Sequence, residues 1–177
     1  FEPDIEGGYR RINGFSKYVS AIVPQTSSSS EKVLMVATFG SSVVAARGTS
    51  IYSATPGSSS WTSRDSGRTS AGKYDFERFN FDGNDKLIVA DGANAPTVFN
   101  TSFTATDVSS GGGGEVSTSV SGAKFVVSFK NHMFYAGMSA AKQELVFSVP
   151  FDEDNFTTGS GAGTIKVDDT ITGLKVF

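Results

Sequence analysis

One pattern occurs three times along this chain, and it constrains the fold more than any other feature. An aromatic-ended strand leads to a polar turn, then a strand closing in Gly, then a strand ending in an aromatic and a polar residue. The first copy reads VLMVATF, Gly40-Ser41-Ser42, VVAARG and Ile51-Tyr52-Ser53. The second reads YDFERFNF, a turn from Asp82 to Asp85, KLIVADG and Val98-Phe99-Asn100. The third reads KFVVSF, Lys130-Asn131-His132, MFYAG and Val146-Phe147-Ser148. Tyr52 to Phe99 spans 47 residues and Phe99 to Phe147 spans 48, while Phe39, Phe81, Phe129 and Phe177 are separated by 42, 48 and 48. A fainter echo follows each copy, at Trp61-Thr62, Phe103-Thr104 and Phe156-Thr157.

Each copy holds short runs of Phe, Tyr, Val and Ile punctuated by Gly, Ser, Asn and Asp, which is the signature of strands and turns. No long window carries the i, i+3, i+4 apolar spacing of a helix. The nearest candidate, residues 140–145, reads as a loop between strands. The fold class is therefore all-β, with antiparallel hairpins expected over residues 33–47, 74–90 and 124–136.

Repeats of about 40 to 50 residues with several short strands each are typical of propeller blades. One such sheet cannot bury both of its faces, so successive sheets must cover one another. A β-sandwich also spaces its strands regularly, yet it gives no reason for a self-match at this period. The reading is an antiparallel β-propeller-like array with a period of about 47 residues. Phe39, Phe81 and Phe129 are expected to be equivalent and buried.

The organisation follows from the period. Residues 1–32 form an N-terminal lead-in and linker, including EGGYRRINGF and the stretch from Gln25 to Ser30. Residues 33–177 hold the blades, at 33–72, 73–108 and 122–163, with a fourth beginning at 164–177. The low-complexity string SSGGGGEVSTSVS at 109–121 reads as a flexible loop between blades. Propellers close with about four to eight blades. Three and a fraction read as an incomplete propeller, whose remaining blades lie beyond Phe177 or come from another chain.

Composition narrows the function classes. The net charge is −3 and the Lys and Arg residues are scattered, which argues against a nucleic-acid-binding face. No apolar run approaches the roughly 20 residues of a membrane-spanning helix. With no Cys in the chain, neither disulfides nor thiolate metal sites can hold the fold.

The residues that suggest chemistry are few. His132 is the single histidine, so a triad or a His-rich zinc site has no second imidazole, and a turn residue donating one hydrogen bond is the simpler reading. Ser63-Arg64-Asp65-Ser66-Gly67-Arg68-Thr69 matches most of the Asp-box S-x-D-x-G-x-T-W of sialidase-like propellers, with Ser70 in place of the aromatic. That box is a turn-stabilising device. Sialidase chemistry would need an arginine cluster and a tyrosine, for which Arg64, Arg68, Arg78 and Tyr74 are the candidates.

Asp152-Glu153-Asp154 and Asp168-Asp169 supply oxygen ligands of the kind Ca²⁺ takes, but their spacing fits no EF-hand and solvated turns are the simpler reading. Gly111 to Gly114 and Gly159 to Gly163 satisfy neither G-x-G-x-x-G nor a P-loop. No catalytic, cofactor or metal residues are assigned, and the chain is read as a non-enzyme.

The strings FEPDIEGGYRRINGF, LIVADGANAPTVFN and LVFSVPFDEDNFTTGSGAGTIKVDDTITGLKVF resemble virion structural proteins of tailed bacteriophages, of the tail hub, nozzle or adaptor type. The resemblance implies a virion tail location and assembly with other tail or portal-adaptor proteins in a homo-oligomeric ring. It implies no cofactor and no catalytic residues. A carbohydrate-binding or sialidase-like module acting on a host glycan is the alternative, resting on the Asp-box-like turn and on Trp61.

Overall fold

The computed structural model describes residues 2–3, 9–10, 14, 16–25, 31–69, 72–109 and 114–177. Apart from a two-stranded bridge between β1 (Glu2–Pro3) and β2 (Tyr9–Arg10), it consists of three four-stranded antiparallel sheets. The first runs β3 (Val33–Phe39), β4 (Ser42–Arg47), β5 (Ser50–Ala54) and β6 (Thr62–Asp65). The second runs β7 (Asp75–Phe81), β8 (Asn84–Ala90), β9 (Thr97–Asn100) and β10 (Ala105–Asp107). The third runs β11 (Phe125–Phe129), β12 (His132–Met138), β13 (Ala141–Phe147) and β14 (Gly163–Lys166). In each, strands pair in chain order. None of the three closes on itself, and the only helical turn among the described residues is the 3-10 turn Thr158–Ser160.

The expected hairpins form, with turns of only two residues. Phe39 pairs with Ser42, Phe81 with Asn84 and Phe129 with His132. In the second and third sheets both turn residues have positive φ, at 55° and 79° for Asp82 and Gly83 and at 47° and 66° for Lys130 and Asn131. That backbone matches the right-handed twist of the flanking strands.

These pairings set the true register of the repeat. Tyr52 pairs with Ala45, Phe99 with Leu87 and Val146 with Tyr135, each partner lying six residues after the aromatic of its hairpin turn. The equivalent residues of the third strands are thus Tyr52, Phe99 and Val146, two steps of 47. Phe147, matched to Phe99 from sequence, is one residue out of register. A one-residue slip moves a side chain to the opposite face of a sheet. Phe147 indeed pairs with Phe134 on the side away from the second sheet.

The sheets stack by face. Met35, Phe39, Val44, Ala46 and Ile51 of the first sheet pack on Tyr74, Leu87, Val89 and Phe99 of the second. On its other face the second sheet presents Phe79, Phe81, Ile88 and Val98 to Val126, Met133, Tyr135 and Val146 of the third. The first strands β7 and β11 lie alongside each other. Fully burying one such side chain is worth roughly 1.5 to 3 kcal/mol, so each junction is a core in its own right.

Three expectations need correction. Phe129 is 45% exposed, whereas Phe39 and Phe81 are 3% and 5% exposed. Its place in the hairpin is equivalent, but the face it lies on has no following sheet among the described residues. Residues 140–145 are not a loop: Ala141–Phe147 is a strand bonded on both sides, to β12 and β14. Of its polar residues, Lys142 is exposed, while Gln143 and Glu144 are half-buried and bonded to the Asp168 carbonyl and to Thr118. Thr164, Ile165 and Lys166, placed in a fourth blade from sequence, belong to β14 of the third sheet. Residues 171–177 lie outside any strand.

The segments between blades differ from expectation too. Ser110 to Gly113 lie outside the described residues, as do most of EGGYRRINGF and residues 26–30. Residues 114–121 are packed rather than loose. Val116 and Val120 are buried in the core between the second and third sheets, and the Val116 amide donates to the Phe156 carbonyl at 3.0 Å. The aromatic of the echo packs differently in each copy. Phe103 sets its ring edge-on to Phe39 of the first sheet, and Phe156 lies against Tyr135 of its own sheet. Trp61 donates from Nε1 to the Ala21 carbonyl and helps strap residues 16–25 onto the first sheet.

Truncating Phe99 or Phe81 to Ala should cost about 3 to 5 kcal/mol, as for other buried Phe. Phe129→Ala should cost about 0.5 kcal/mol or less, as at a surface position. Urea unfolding of the three variants checks this. Equal losses at all three positions would contradict the stacking order.

Candidate functional site

Two places stand out: a buried polar joint between the first and second sheets, and the open face of the third sheet. The joint is centred on Arg68, in the loop that leaves β6. Its side chain is almost fully buried, which a guanidinium tolerates only when its donors are satisfied. Nε and Nη2 donate to Asp91 Oδ2 at 3.3 and 2.9 Å. Nη1 donates to Asp65 Oδ2 at 2.7 Å and to Thr97 Oγ1 at 2.6 Å, and Nη2 also reaches the Ala95 carbonyl at 3.3 Å. All five N–H donors are thereby engaged.

Asp91 is the middle residue of the ADG of the second repeat, and its carboxylate is inaccessible to solvent. Oδ1 accepts from the Ala93 and Asn94 amides at 2.9 and 2.8 Å. Asn94 then spans back to the first sheet's exit loop, its side chain exchanging bonds with Thr69 N and O, both at 2.9 Å. Burial alone would raise the Asp91 carboxyl, but the Asn94 and Ala93 amides, the Asn94 side chain and Arg68 together hold it below its ordinary value. Burial likewise opposes the charge on Arg68, and the bonds to Asp65 and Asp91 overcome it and raise its pKa.

This geometry reassigns the sialidase-type candidates. Arg68 and Tyr74 do meet, with the guanidinium 5.7 Å from the ring centroid. Arg64 lies elsewhere, bonded to Ser53 Oγ and set over Phe103, and Arg78 is exposed on β7. The three arginines do not converge. Arg68 has no donor left for a ligand, and burial pushes the Tyr74 phenol up, against easy ionisation to a nucleophile. The Tyr74 hydroxyl is buried without a hydrogen-bond partner, beside an open cleft of 520 Å³ that also touches Asp91, Lys124 and Phe125.

The other singled-out residues have structural surroundings. His132 Nδ1 donates to the Ser148 carbonyl, and its ring stands edge-on to Phe147 at 5.6 Å. Glu153 is buried, pairs with Lys86 of the second sheet and offers its carbonyl to Tyr135 Oη at 2.7 Å. Asp154 Oδ1 accepts the Ser109 amide at 2.8 Å. Of the acidic triplet, Glu153 alone is buried, at the junction of the second and third sheets, while Asp152 and Asp154 are exposed as a solvated turn would have them. Asp168 gives its carbonyl to Gln143. Among the described residues no three His, Asp or Glu side chains form a group that could hold a metal ion.

The open face of the third sheet is apolar. Phe129, Phe134, Phe147 and His132 form a row with centroid spacings of 5.6 to 6.4 Å. Gly163 opposes Phe147 in the ladder, and a Cβ there would come within 2.7 Å of the Phe147 ring. Glycine at this position lets the ring lie flat on the outer strand. A groove of 410 Å³ runs along this face between Val127, Phe129, Phe134 and Leu145 on one side and Leu174 and Val176 on the other.

No protein-family model, curated protein or solved structure matches the chain.

Removing the carboxylate in Asp91→Ala strands a buried guanidinium, and should cost about 3 to 5 kcal/mol. Because the folded pKa of Asp91 lies below its unfolded value, its contribution is complete above the ordinary carboxylate range. It is lost as the pH falls through the folded pKa. The stability gap between parent and variant in urea titrations should hold at pH 7 and close in strong acid. A pH-independent gap would mean that the ion pair is not what joins the sheets.

Proposed function

We propose that this chain is a structural assembly module: a propeller-like stack of blades in the tail of a tailed bacteriophage, acting at a hub, nozzle or adaptor position. It packs against other tail or portal-adaptor subunits within a homo-oligomeric ring. One observation carries the interaction part of this reading. The face presented by Phe129 is equivalent, position for position, to the faces of Phe39 and Phe81, which are covered by a following sheet. A face whose hairpin aromatic is placed like two buried ones, and which carries Phe134 and Phe147 besides, is suited to receiving another sheet.

The tail assignment is supported by the resemblance of FEPDIEGGYRRINGF and the other strings to virion structural proteins, and by Arg68 and Asp91 serving as a joint. Both groups are spent on holding sheets together. The glycan alternative loses its two anchors, since Trp61 is half-buried and bonded to Ala21, and Arg68 is saturated.

Peptides of this chain should appear in purified virions by mass spectrometry, at a fixed ratio to the other tail proteins. Their absence from intact particles would refute the assignment. A glycan array should show no specific binding that Trp61→Ala abolishes, and such binding would establish the carbohydrate reading instead.

A further inference from the structure

The period places residues 171–177 where a fourth sheet would begin. Phe177 stands 48 residues after Phe129, as Phe129 stands 48 after Phe81. The same step makes Leu174 and Val176 the counterparts of Val126 and Ser128. Those two residues look back onto the second sheet: Val126 is buried there and Ser128 Oγ donates to Glu77 Oε1 at 2.7 Å. Their counterparts Leu174 and Val176 line the groove on the third sheet with Phe129 and Phe134.

The chemistry at the new junction is matched as well. The counterpart of Glu77 is Phe125 and that of Ser128 is Val176, so a polar pair at one junction becomes an apolar pair at the next. Residues 171–177 are tethered at their start, where the Ile171 amide donates to the Lys142 carbonyl at 2.9 Å, and belong to no sheet.

We propose that residues 171–177 and the open face of the third sheet together form a strand-acceptor site. Its occupant is an antiparallel β-meander of this same repeat type, whose leading strand pairs with 171–177. The alternate apolar side chains of the occupant, like Leu87, Val89 and Phe99 in the second sheet, pack on Phe129, Phe134 and Leu145. Main-chain pairing would supply affinity, and the aromatic row would choose the register. This deepens the proposed function: it rests on the stacking of sheets and is independent of the phage assignment.

The test extends the full chain in register. Because Phe177 corresponds to Phe81, a second copy of residues 82–107 is appended directly after Phe177. Hydrogen exchange is then followed at 171–177 and at Leu87, Val89 and Phe99 of the original second sheet. Pairing predicts that alternate amides of 171–177 slow by at least about 100-fold relative to the parent chain. A control extension with Ser at the appended copies of Leu87, Val89 and Phe99 should give no protection. Phe129→Ser in the extended chain should remove the protection at 171–177 while leaving that of the original second sheet intact.

Unchanged exchange at 171–177 in the extended chain overturns the proposal, whether or not the appended residues order elsewhere. Such a failure, with the original sheets still protected, leaves the virion assignment standing. Absence of the chain from virions, with protection at 171–177, removes that assignment and leaves the acceptor site.

Discussion

The mutual covering of sheet faces is the constraint on which the rest of this structure depends. A four-stranded sheet with Leu87, Val89 and Phe99 on one side and Phe79, Phe81 and Ile88 on the other exposes two apolar surfaces and can hide neither by itself. Burial of both requires a neighbour on each side, and the period of the sequence supplies one at each junction. Short hairpins and simple strand order follow, because a stack of this kind needs only local connections within a sheet and one crossing between sheets.

Apolar stacking is non-directional, and it leaves the angle and offset between sheets loosely set. The Arg68–Asp91 joint adds direction. Five donors on a planar group meet Asp65 at the end of the first sheet's last strand and Asp91, Ala95 and Thr97 of the second, and the Asn94 side chain bonds the Thr69 backbone. Such a buried ion pair adds little net stability against an apolar replacement of equal volume. What it contributes is a fixed geometry. The second junction is set differently, by Lys86 with Glu153, Ser128 with Glu77, and the Val126 amide with Asp75.

These joints also account for the bonds made by Arg68 and Asp65, two residues that looked chemical in the sequence. Arginine, aspartate and a tyrosine close together suggest a site when read along a line. In three dimensions they lie where two sheets meet, and satisfying one buried cation consumes the carboxylates. The exposure of Phe129 was hidden from the sequence, because its hairpin is built like those of the buried Phe39 and Phe81. Nothing in KFVVSF distinguishes Phe129 from Phe81.

The sequence by itself determined the class of fold, the number of repeated sheets and the positions of their turns. Alternation of apolar residues, turn chemistry at Gly40, Asp82 and Asn131, and a regular period are local properties, and local properties are legible along a chain. It did not determine which face each residue takes where the spacing changes by one. Hydrogen-bonded pairing alone shows that Val146, and not Phe147, is the counterpart of Phe99. Nor could it reveal that Glu153 is buried, that Val116 and Val120 close a core, or that Arg68 meets Asp91 across 23 residues. Burial and charge pairing depend on what lies across a junction, and only the tertiary structure brings those partners together.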